Sequence, residues 1–159
     1  DRGWARKHWL TIEQSYRKAP GFARYGGFFK RIYEREWTSL SELNQSLIRT
    51  IATEFLAIST AMRDVRDYQI AGVRGDRLLD LLKQVGATDY ISGPSARAYL
   101  DEAGYLREGI RVQWKDYSTY REYPQLNGAF EPNVSIVDLL MNCGEVAPDY
   151  IWGYRTRGV

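Results

Sequence analysis

Between residues 57 and 114 the chain alternates between two periodicities, and that alternation constrains the fold more than any other feature of the sequence. A short β-like run, "AIST" (57–60), is followed after a polar loop by "RLLDLLKQV" (77–85), which has helical spacing, with Asp76 placed to cap it and Gly86 suited to close it. "YIS" (90–92) then reads as a strand and "SARAYLDEA" (95–103), ended by Gly104, as a helix. In "IRVQW" (110–114), Ile110, Val112 and Trp114 alternate with Arg111 and Gln113 as a half-buried strand requires. Strand, helix, strand, helix, strand implies right-handed βαβ crossovers and a mainly parallel sheet.

Helices are expected on both sides of this βαβαβ segment. "KHWLTIEQSYRK" spaces Trp9, Ile12 and Tyr16 on one face and ends at Ala19-Pro20-Gly21. "GFARYGGFFKRIYERE" aligns Phe22, Tyr25, Phe29, Ile32 and Tyr33. "SLSELNQSLIRTIATEFL" has the clearest amphipathic pattern, Leu40, Leu43, Leu47, Ile51 and Phe55, with Ser39 or Ser41 as N-cap and Glu42 as the capping-box partner of Ser39. After an Asn127-Gly128 turn, "SIVDLLMN" (135–142) reads as the last helix. The expected class is therefore α/β: N-terminal helices, then βαβαβ with a mainly parallel sheet, then a C-terminal helix, in a single domain over residues 1–159.

Charge excludes more than it selects. Twenty-two Lys and Arg nearly balance 20 Asp and Glu, and no basic block points to nucleic acid. One cysteine leaves no internal disulfide, and no apolar run approaches the roughly 18 residues of a membrane span, so a cytoplasmic protein is expected. A single His and a single Cys argue against a zinc site within this chain. The phosphate-cradling, dinucleotide and nucleophile-elbow glycine motifs are all missing. No cofactor is indicated by the sequence, so the expected ligand is a small polar or anionic metabolite.

The joint Ser92-Gly93-Pro94 offers a place for one. A helix starting directly after a strand aims unpaired N–H groups beyond the sheet edge, and Arg97, one turn in, has the forked geometry that clamps a carboxylate or phosphate. The same residues also make an ordinary βα turn, with Pro94 presetting the first helical φ and Arg97 solvated.

"KHWLTIEQSYRKAPGF", "RLLDLLKQVGATDYISGPSARAYLDEAGY", "GIRVQWKDY" and "FEPNVSIVDLLMNCG", in this order over residues 4–144, resemble the WbqC-like family of bacterial proteins. Members of that family usually carry an additional N-terminal segment of the "QPxYFPWxGYF" type and a "DDVQ"-like stretch. This chain opens with Asp1-Arg2 and has neither, as expected of the C-terminal larger part of such a domain. The resemblance implies a transferase of surface-polysaccharide (O-antigen) or specialised-metabolite biosynthesis, passing an amino acid such as glycine to a sugar or amine acceptor. The alternative is a non-catalytic module that binds a carrier or partner protein through its aromatic surface.

Candidate residues follow from the motifs. His8, the only imidazole and the family's "KH" position, is a candidate general base, or else a helix-surface residue beside Trp9. Asp138 is a candidate catalytic carboxylate, although Ser135-x-x-Asp138 also has capping-box spacing. Tyr117, Tyr120, Tyr123 and Gln125 cluster in a loop-rich stretch able to hold a sugar or nucleotide, or simply to pack. Ser92, Gly93, Arg97, Tyr99, Tyr117, Gln125 and Asn142 form the expected substrate-binding set. Cys143 ends an apolar helix, where packing outweighs a Cys/His dyad with His8. Arg63, Asp64, Arg66 and Asp67 read as a solvated loop or a site wall.

Overall fold

The computed structural model describes residues 3–152. In chain order its regular elements are α1 (Trp4–Tyr16), α2 (Phe22–Glu34), α3 (Leu40–Thr50), α4 (Arg74–Gln84), β1 (Asp89–Ser92), α5 (Glu102–Arg107), β2 (Arg111–Trp114), α6 (Ile136–Cys143) and α7 (Ala147–Trp152). The α/β class stands, with helices preceding and following a parallel βαβ unit. The chain forms two compact units, one running to Thr60 and resuming at Tyr120, the other Ala61–Thr119.

The first unit is helical and holds the main core. Tyr25 and Phe29 of α2, and Leu140 and Met141 of α6, are essentially inaccessible, and Trp9, Ile51, Leu56 and Ala147 close around them. Apolar residues three and four apart on α2 and α6 put one stripe of each helix inward, so their packing follows directly from the sequence pattern. The turn between α1 and α2 is docked on α6 by the Gly21 N–H, which donates to the Met141 carbonyl at 2.8 Å. Glycine is required there: a β-carbon on Gly21 would lie 2.2 Å from the Leu140 oxygen and 2.8 Å from that of Met141. Helix α3 begins as expected, with the Ser39 hydroxyl accepting from the Glu42 N–H at 3.4 Å and Leu43 buried.

The strand expected at 57–60 does not form. Helix α3 continues into a π-helical turn, Ile51–Phe55; the Ile58 N–H bonds the Ala52 carbonyl at 2.8 Å, and Leu56 and Ile58 pack on the helical core. A four-residue run becomes a strand only with a partner edge, and this one is taken up by the helix end before it.

The second unit contains the sheet, two parallel strands in the register Asp89↔Arg111, Tyr90↔Val112, Ile91↔Gln113 and Ser92↔Trp114. Ile110, Tyr105 and Ala96 are its buried hydrophobic side chains. Helix α4 ends at Gly86 as expected, in the left-handed region at φ +68°. Its N-cap is Val73 rather than Asp76, which falls in the first turn. The single helix expected over 95–103 is broken in two: a five-residue 3₁₀ turn, Pro94–Ala98, then α5, whose N-cap Asp101 accepts from the Gly104 N–H at 3.0 Å. Gly104 thus lies inside α5, and the chain turns at Gly109 instead.

Candidate functional site

Asp138 is the centre of a cluster of side-chain hydrogen bonds in the helical unit. It lies in the first turn of α6, is only 7% exposed, and accepts three side-chain hydrogen bonds. The Tyr16 hydroxyl of α1 donates to Oδ1 at 2.7 Å, the Tyr123 hydroxyl to Oδ2 at 2.7 Å, and the Gln125 amide to Oδ2 at 2.9 Å. Its carboxylate does not complete the capping box that Ser135-x-x-Asp138 suggested. Ser135 caps α6 alone, its Oγ accepting from the Val137 N–H at 3.2 Å. The ring of donors occupies three of the roughly four lone-pair directions of an ionised carboxylate.

Gln125 and Asn142 belong to the same cluster and tie the 123–131 loop to α6. The second amide hydrogen of Gln125 goes to the Glu131 carbonyl at 3.0 Å and its oxygen accepts the Glu131 N–H at 2.8 Å. Asn142 donates to the Asp138 carbonyl and accepts from the Leu126 N–H, each at 2.9 Å. Both amide hydrogens of Gln125 are therefore committed to the protein itself.

The electrostatics of the cluster assign proton roles. Burial, reinforced by the hydrogen bond to Asp138, raises the Tyr16 and Tyr123 phenols far above the ordinary tyrosine value, so both remain donors at any physiological pH. Burial, with the nearby negative Asp138, pushes the Cys143 thiol up from 9.0 to about 11. A thiol held protonated is a poor nucleophile. His8 is on the exposed face of α1, edge-on to the rings of Trp4 (centroids 5.4 Å apart) and Tyr33 (5.7 Å), so the His8–Cys143 dyad is not assembled.

The remaining residues of the expected substrate-binding set lie in the second unit. Ser92 is buried at the end of β1 and its carbonyl accepts from the Lys115 N–H at 2.8 Å. A β-carbon on Gly93 would be 3.7 Å from the Tyr117 hydroxyl, so Gly93 and Tyr117 are neighbours. The Arg97 guanidinium lies over the Trp114 ring, 5.2 Å from its centroid, and that indole N–H donates to Glu102 at 2.9 Å. Because the segment after Gly93 is one short 3₁₀ turn, the N-terminal dipole expected to assist Arg97 is largely missing. Tyr99, 81% exposed, lines a cleft of about 660 Å³ with Val73, Leu78 and Tyr105. Asp64, in the mixed-charge loop, is bridged by Arg66 at 2.7 Å and 3.0 Å.

Tyr16 was legible only as a core residue of α1, and Tyr123 only as one tyrosine of a cluster; no local signal marks either as a partner of Asp138. Among the described residues, no three His, Cys, Asp or Glu side chains converge as a metal site would require, and no helix is long and apolar enough to cross a membrane.

A helical unit organised on a buried carboxylate, with a parallel βαβ unit inserted between its helices in the chain, defines a mixed α/β protein. The chain belongs to the WbqC-like protein family, whose family model matches residues 1–150. It is similar to the uncharacterized protein Rv1507c of Mycobacterium tuberculosis, 46% identical over 149 residues, an alignment covering 93% of this chain. The chain spans 64% of that relative's length. No solved structure matches it.

Proposed function

We propose that this WbqC-like chain forms part of a transferase that passes a small amino-acid-like acyl group to a hydroxyl or amine of a polar acceptor, in surface-polysaccharide or specialised-metabolite biosynthesis. The observation that carries this reading is Asp138: a nearly buried carboxylate fixed by three donors, with one acceptor direction left over. In the proposed step, that oxygen accepts the proton of the acceptor's O–H or N–H. As it does so, a bond forms between the acceptor and the acyl carbon, and the bond from that carbon to its leaving group breaks. Tyr16 and Tyr123, kept protonated, hold the carboxylate's orientation and do not compete for the proton. Independently, in the second unit, Arg97 beside Ser92 and Gly93 is the proposed contact for a substrate anion, through its side chain alone.

The test is an acyl-transfer assay read by mass spectrometry, using an aminoacyl thioester donor and a panel of amino sugars and amines. Asp138→Asn is expected to lower turnover by about 10²–10⁴-fold, while Cys143→Ser retains it. His8→Ala is the control: loss of turnover there with retention in Asp138→Asn moves the proton to His8 and overturns the assignment.

A further inference from the structure

Three of the five tryptophans, Trp4, Trp9 and Trp37, line one cleft of about 630 Å³, together with Tyr33. It opens along the start of α1 and the end of α2, within the range of volumes that hold small-molecule ligands. Its walls are fixed in advance. The Trp37 indole N–H donates to the Ile32 carbonyl at 2.7 Å, Trp4 meets Tyr33 edge-on with centroids 6.1 Å apart, and Trp9 stacks on Phe22. Rings held by their own neighbours need little reordering to receive a ligand.

The polar groups define the ligand's chemistry. Arg6 and Arg35 are balanced by Glu34 and Glu36, so the lining has no net charge. A cation would meet two guanidiniums, and Arg35 already lies over Trp37, 4.2 Å from its ring centroid. An anion would meet two carboxylates. Arg6 and Glu36 make no hydrogen bond or ion pair among the described residues, so the cleft offers one unspent donor fork beside one unspent acceptor. The complement is an uncharged molecule with an apolar face for the indoles and hydroxyls that both donate and accept.

We propose that this cleft binds an uncharged pyranose unit, its C–H face on the tryptophans and its hydroxyls on Arg6 and Glu36. The cleft shares no residue with the Asp138 cluster, and the proposal stands or falls separately from the role given to that carboxylate.

The experiment is a titration of ¹⁵N-tryptophan-labelled protein with glucose, galactose, N-acetylglucosamine and maltose, with choline and uridine as cationic and planar-base arms. At least one of the four sugars is expected to shift the Trp4, Trp9 or Trp37 indole signals in the millimolar range and leave Trp114 in place. Glu36→Gln and Arg6→Gln, both exposed and outside the core, are expected to weaken that sugar about tenfold. Silence towards all four sugars, a response to choline or uridine alone, or unchanged sugar affinity in both variants would each overturn the proposal.

Discussion

Asp138→Asn preserves shape and removes charge, and its cost can be worked from the three hydrogen bonds at 2.7, 2.7 and 2.9 Å. Bonds to a charged group contribute about 1.5–3 kcal/mol each, but they share one acceptor whose burial is itself unfavourable, so they do not add. The amide keeps one acceptor oxygen and turns its N–H₂ towards a phenol or the Gln125 amide, leaving at least one buried donor unpaired at about 1–3 kcal/mol. With the lost charge, a net destabilisation of about 2–4 kcal/mol is expected. With a urea m-value of about 2 kcal/mol per molar, the midpoint should fall by about 1–2 M, measured by far-ultraviolet circular dichroism. Tyr123→Phe in both backgrounds closes a double-mutant cycle, in which the phenol should matter far less once Asn replaces Asp138. A midpoint shift corresponding to under about 0.5 kcal/mol, or a Tyr123→Phe cost equal in both backgrounds, would mean that these hydrogen bonds do not hold the helical unit together.

Gly21→Ala should be among the most damaging single-atom additions, because its β-carbon would meet two backbone oxygens that cannot swing away; retention of the wild-type melting temperature would contradict the close approach. Leu140→Ala, at a fully buried position, should cost about 2–5 kcal/mol in the same urea assay. The folded Cys143 thiol titrates near 11 against 9.0 ordinarily, and Tyr16 and Tyr123 are raised too, so the unfolded chain releases these protons first as pH rises. The stability held by the protonated groups should be complete below about pH 9 and decline above it, steepening once the unfolded tyrosines begin to ionise at about pH 10. Cys143→Ala and Tyr123→Phe should each flatten part of that decline.

What the sequence disclosed was local. The Ser39 cap, the inward stripe of Tyr25, Phe29 and Ile32, the Gly86 terminator and the strand patterns at 90–92 and 110–114 all depend on residues within a few positions of one another, or on a period of 2 or 3.6. The break at Asp101 was also local: an Asp directly before Glu102 is an N-cap signal, and it outweighed the continuous helical pattern over 95–103. The 57–60 run failed because strand formation depends on a partner that no local pattern specifies. The Asp138 cluster is of the same kind. Ser135 and Asp138 satisfy a capping template, yet the carboxylate is bound by Tyr16, 122 positions away in sequence. Such a contact exists only once α1 and α6 have packed, so the residue could be nominated from its motif while its partners could not.

The proposed role of the Asp138 carboxylate as proton acceptor is tested by comparing transfer rates of wild type, Asp138→Asn and Tyr123→Phe below the temperature at which any of them unfolds. A loss of about 10²–10⁴-fold is expected in Asp138→Asn and a much smaller one in Tyr123→Phe, which leaves the carboxylate in place and held by Tyr16 and Gln125. Folded Asp138→Asn transferring at the wild-type rate would contradict it and leave the cluster a purely structural tie between α1, α6 and the 123–131 loop.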